Sequence, residues 1–92
     1  MTLGFVIFYR VKDLSPKELA DSEKKWEDYK KNKWLKSVKL IGEYAHAFGI
    51  GYNGFMVLEV PDYDAFLKFY NDFRDTTRWY VTETRTITGV KS

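Results

Sequence analysis

Four polar side chains stand out as candidates for chemistry: Arg10, Tyr44, His46 and Glu59. His46 is the only histidine of the chain, and imidazole is the side chain whose ordinary pKa lies nearest neutrality. Beside Tyr44 and Glu59 in an enclosed site it would act as a general base or polarise a bound carbonyl. Otherwise it is a structural histidine bonded to one of those two neighbours. Arg10 also has two readings. Its guanidinium can hold a substrate carboxylate through paired hydrogen bonds, or form a strand-end ion pair with Glu59 that is worth little. Phe8, Phe48 and Phe55 are the expected apolar lining of the same pocket. A single His and scattered carboxylates make no metal-ligand set, and without Cys there is neither a thiolate nucleophile nor a disulfide. The glycine-rich run Gly49–Gly54 lacks the following helix of a phosphate loop. No cofactor is expected.

The elements that must position these residues follow from local pattern. Leu3–Val11 is apolar at both parities and reads as a central strand covered on both faces. Ser15, Pro16 and Glu18 form a helix start: N-cap, first-turn proline and capping box. Leu19, Ser22, Trp26, Tyr29 and Lys33 then follow one helical stripe, and the helix is expected to end near Trp34–Lys36. Val38–Phe48 and Phe55–Val60 read as two strands of a hairpin joined by the glycine-rich turn. Asp62 caps a second helix with the stripe Tyr63, Phe66, Leu67, Tyr70 and Phe73. These helical aromatics read as core. Trp79 and Tyr80 lead into a last strand, where packing or the rim of a pocket would use them. That strand is half polar, with Thr82, Thr84, Thr86 and Thr88 on one parity and Val81, Glu83, Arg85 and Ile87 on the other, as suits an edge.

The order βαββαβ with right-handed crossovers predicts an α+β ferredoxin-like domain over residues 1–92, its antiparallel sheet in the order 4-1-3-2 and both helices on one face. A turn centred near Gly51-Tyr52 sets His46 opposite Val57 and Tyr44 opposite Glu59. Ala45, Ala47, Met56, Leu58 and Val60 then face the helices. Tyr44, His46, Phe48, Phe55, Val57 and Glu59, joined by Val6, Phe8 and Arg10, form the other face. Its apolar part exceeds the patch a monomer usually exposes, so the same face of a second copy is the expected cover.

The element order, the aromatic sheet face and the run GFMVLEVPDYDAF (Gly54–Phe66) resemble the dimeric α+β barrel superfamily. The resemblance covers nearly the whole chain and implies two subunits packed sheet to sheet around a binding or catalytic pocket. Such proteins include cofactor-free monooxygenases, isomerases, haem proteins and ligand sensors. The haem-degrading branch has a helical Trp-then-His pattern that is missing here. RNA-recognition motifs share the element order, and Gly54 and Phe55 fit their third-strand motif. Asn53, Val57 and Glu59 depart from it, the last by adding an anion to the RNA face.

Bulk properties set further bounds. With 92 residues, the chain is one domain, and seven Phe, seven Tyr and three Trp give it core to fold alone. A net charge of +2 is too small to imply a polyanionic partner. No secretory leader or membrane span is read, and the absence of Cys fits a reducing cytoplasm. The sequence therefore leads to a homodimer that binds a small, partly apolar molecule between sheet and helices, as a cofactor-independent oxygenase or isomerase. The alternative is a non-catalytic sensor or interaction module of the same fold.

Overall fold

The computed structural model describes all residues, Met1–Ser92. Strand β1 (Leu3–Val11) leads to helix α1 (Pro16–Asn32), the strands β2 (Lys39–Ala45) and β3 (Gly54–Val60), helix α2 (Tyr63–Thr77) and strand β4 (Val81–Val90). The sheet order is β2-β3-β1-β4, antiparallel throughout, as the element order predicts.

Local chemistry sets the helix ends. The Glu18 N–H donates to Ser15 Oγ and the Ser15 N–H donates to Glu18 Oε1, which closes the capping box. These bonds hold the Glu18 carboxyl below its usual pKa. Their support is therefore present above the ordinary carboxylate range and is lost as pH falls through the lowered value. Ser15→Ala is expected to cost about 1 kcal/mol in urea unfolding at pH 7. Asp62 caps α2 by accepting from the Ala65 N–H at 2.8 Å. Helix α1 stops at Asn32, earlier than expected, and Trp34 folds back so that its Nε1 donates to the Val38 carbonyl.

The core lies between the helices and one sheet face. Leu3, Phe5 and Ile7 of β1 and Met56, Leu58 and Val60 of β3 meet Tyr29 of α1 and Phe66, Phe69 and Phe73 of α2. Alternation on β3 is complete: every second residue from Gly54 to Val60 is buried. On α2 the buried stripe is Phe66, Phe69, Phe73 and Thr77. Leu67 and Tyr63, expected in the core, are about half exposed at 46% and 52%. Two bulges adjust the edge strands. One sets Ile41 out of register, so that both Leu40 and Glu43 face the helices. The other lies at Thr82 and turns Val81 into the core while Glu83 stays on the open face. No helix is long and apolar enough to cross a membrane.

Candidate functional site

The hairpin differs from the sequence expectation in length and register. Strand β2 ends at Ala45, and His46 leaves it with φ +55°, a left-handed conformation that His tolerates better than most residues. The reason is tertiary. The Asn53 N–H donates to the Tyr9 carbonyl at 2.9 Å, and the Val11 N–H donates to Asn53 Oδ1 at 2.6 Å. Arg10 Nε donates to the Gly51 carbonyl at 3.1 Å. Residues 51–53 are thus tied to the end of β1, and 46–50 project as a loop tip. Tyr44 pairs with Phe55 rather than Glu59. The slip is an even number of positions, so every expected residue that stays in the sheet keeps its face.

His46 and Phe48 are therefore corrected. Neither belongs to the sheet: His46 is exposed and Phe48 is wholly exposed at the tip. The expected Arg10–Glu59 pair is also absent. Glu59 lies opposite Gly4, six residues from Arg10 along β1 or roughly 20 Å, and takes Lys91 as its partner at 3.1 Å. Arg10 pairs with Glu83 at 2.7 Å instead.

What the open face does gather is an aromatic row. Tyr44 stacks on Phe55 with ring centroids 4.8 Å apart, and Phe55 lies 5.6 Å from Phe8. Phe8 meets Tyr52 at 6.0 Å, and the Arg10 guanidinium sits 4.9 Å above the Tyr52 ring. Tyr52, taken from the sequence as turn, is buried here, and its hydroxyl donates to Glu83 Oε1. His46, Tyr44 and Glu59 line none of the three main hollows of the molecule.

A cavity of about 70 Å³ lies on the opposite side of the sheet, under the helices. Trp26, Met56, Phe73 and Val81 supply apolar wall, and Thr77 lines it too. Three groups can do chemistry there: the Glu43 carboxylate and the Tyr9 and Tyr80 hydroxyls. Glu43 is oriented from α1, accepting from Trp26 Nε1 at 2.5 Å on one oxygen and from Lys30 Nζ at 2.6 Å on the other. Burial works against the charge of Lys30, but its bonds to Glu43 and Glu27 outweigh this and raise its pKa. Tyr9 lies across Gly54, where a Cβ would overlap its hydroxyl. Burial, with the nearby Glu43 charge, raises the Tyr9 pKa. Tyr80 is pushed up to about 12 by burial, with Tyr9 and Glu43 adding to it. Both phenols therefore stay neutral and able to donate across the physiological range, beside a carboxylate able to accept. A wider hollow along α1, lined by Asp21, Lys24, Lys25 and Asp75 among others, is charged in both signs and holds one hydrophobic residue.

Sequence reasoning missed Glu43 and Tyr9 and met Tyr80 only as the rim of a pocket. The signal for Glu43 was a lone carboxylate on the helix-facing parity of β2, in line with Ala45 and Ala47.

Tyr29, buried beneath the same helix, is also pushed up to about 12, by burial and then by Asp72. The folded state binds that proton more tightly than the unfolded chain. The resulting stability is full below the ordinary pKa of 10 and is lost as pH rises toward 12. The urea midpoint is expected to fall between pH 9.5 and 11.5, on the order of one such pKa shift, and to fall less in Tyr29→Phe.

No protein-family profile matches this chain, and no curated protein sequence does. Solved structures do. A DABB family protein with a ferredoxin-like fold from Mesorhizobium loti is 21% identical, with a TM-score of 0.64 over 99% of this chain and 97% of that one. A dimeric ferredoxin-like protein of unknown function from Bacteroides fragilis is 11% identical, with a TM-score of 0.67 over 98% and 96%. One from Thermobifida fusca, also described as dimeric and of unknown function, is 11% identical with a TM-score of 0.63 over 99% and 92%. At these identities the likeness is one of fold. It is the ferredoxin-like fold, as the element order predicts.

Proposed function

We propose that the chain is a small-molecule-binding homodimer whose ligand site is the cavity between sheet and helices, with the open sheet face given to the partner copy. The observation that carries the site is the Glu43 carboxylate, its side chain about one-third exposed, at the edge of a mostly apolar cavity beside two neutral phenols. Such a lining suits a small, neutral, partly apolar molecule that donates one hydrogen bond to Glu43 and accepts one from Tyr9 or Tyr80. The same groups would serve proton transfer without a cofactor: Glu43 accepts a proton from carbon or hydroxyl, and a phenol donates to the oxygen where charge develops. Dimerisation is supported by the half-buried row of Val6, Phe8, Phe55 and Val57 and by the dimeric description of two proteins of the same fold. On this reading Arg10, Tyr44, Phe8, Phe55 and Glu59 belong to the interface rather than to a ligand. Glu59 and Glu83 on that face weigh against an RNA platform.

At about 70 Å³ the cavity is smaller than the roughly 150 Å³ that holds a benzene ring in an engineered cavity. A ring therefore needs lining side chains to move, and Trp26 and Tyr80, which are only half-buried, have room to do so. Phenol is a suitable probe, with one donor and one ring. Its binding, followed by tryptophan fluorescence, is expected to weaken tenfold or more in Glu43→Gln, which loses a charged acceptor. Equal affinity in the two proteins would remove Glu43 from the site.

A further inference from the structure

We infer that the loop tip Ala47–Gly51 is a docking arm that each copy lays on its partner, an extension of the sheet-to-sheet contact. This rests on the homodimer reading above. Phe48 and Ile50 are the most exposed large apolar residues of the loop, at 102% and 58%. Their exposure is not slack in the chain. The base of the loop is fixed by the bonds of Asn53 and Arg10 to β1 and Gly51, and by Tyr52 buried beside Phe8. Gly49 and Gly51 take φ values of +118° and +81°, which turn the tip as L side chains rarely can. An arm held this way has lost much of its conformational freedom before it meets anything, which favours binding.

The occupant is argued from area and continuity. Seven paired positions on β1 and β3, on four strands spaced about 4.8 Å apart, give the sheet face a footprint of roughly 450 Å². A stable interface takes about 800 Å² from each partner. Side chains make the accessible area larger than this flat footprint, so the sheet comes near that size with little margin; Arg10 and Phe8 hold Gly51 and Tyr52 at the same face, where the exposed Phe48 and Ile50 add apolar area. A lipid surface is the poorer occupant. Segments that lie on membranes carry free Lys or Arg beside their apolar residues, whereas the tip has none and Arg10 is held by Glu83 and Gly51.

Sedimentation velocity over a dilution series tests this with three proteins: the native chain, Phe48→Ser/Ile50→Ser, and Leu67→Ser. Leu67 is a comparably exposed apolar residue on α2, away from the open face. The native chain and Leu67→Ser are expected to dimerise alike, and the double variant to dissociate at a concentration at least tenfold higher, with an unchanged circular dichroism spectrum. A double variant that dimerises like the native chain would overturn the arm while leaving the dimer. A native chain monomeric at every concentration would overturn both. Native protein that instead co-sediments with phosphatidylglycerol vesicles, and is released by the double substitution, would assign the tip to a membrane and overturn the inference.

Discussion

Phe69→Ala is expected to cost about 3–5 kcal/mol, the usual penalty for truncating a buried phenylalanine. Phe69 is fully buried, with its ring 4.9 Å from Trp34 and 6.0 Å from Phe73. It bridges α2 to the chain that follows α1, so its loss leaves a hole that two elements would have to collapse into. For a domain of this size each kcal/mol moves the melting temperature by about 4–8 °C, so a fall of more than about 12 °C is expected by circular dichroism. Leu67→Ala, two residues earlier and half exposed, is expected to change stability by no more than about 0.5 kcal/mol. Similar shifts for the two would mean that α2 is rotated on the sheet relative to this account, as the sequence stripe through Leu67 would have it.

Gly54→Ala is the second large effect, and it reaches the site. The added methyl would overlap the Tyr9 hydroxyl and stand 2.5 Å from the Tyr9 ring carbon that carries it and 2.5 Å from the Tyr44 carbonyl. The first contact could be relieved by moving a side chain, but the last is backbone of the paired strand. Overpacking of this kind costs about 1–3 kcal/mol or more, and the upper end is expected because two elements must yield. Tyr9→Phe in the same chain should recover little, since the ring carbon and the carbonyl remain. Full recovery in a double-mutant cycle would show that only the hydroxyl matters. Phenol binding should weaken in Gly54→Ala even where the fold survives, because Tyr9 is displaced from beside Glu43.

Much of the fold was legible because its signals are local. Ser15 with Glu18 and Asp62 with Ala65 mark both helix starts, and alternation from Gly54 to Val60 separates the two sheet faces. What was hidden depends on contacts between distant segments. Tyr44, His46 and Phe48 alternate like a strand, but hydrogen bonds from residues 51–53 to the end of β1 turn His46 and Phe48 out of the sheet. Arg10 finds Glu83 because of how β4 registers on β1, with a bulge at Thr82 that no pattern within β4 announces. Glu43 faces the helices through its pairing with Met56, but the partners that orient it, Trp26 and Lys30, come from α1. The carboxylate and phenols of the cavity thus lie on the sheet face opposite to the one on which His46 is expected from the sequence.

The two faces of the sheet, one for a ligand and one for a partner copy, are distinguished by a ¹H–¹⁵N NMR titration of the native protein with phenol. The Trp26 indole N–H and the amides of Glu43, Met56 and Tyr80 are expected to shift in a saturable way, while those of Phe8, Phe55 and Val57 on the open face stay in place. Saturable shifts centred on Phe8, Phe55 and Tyr44, with the cavity resonances unmoved, would contradict this assignment and return the ligand to the open face.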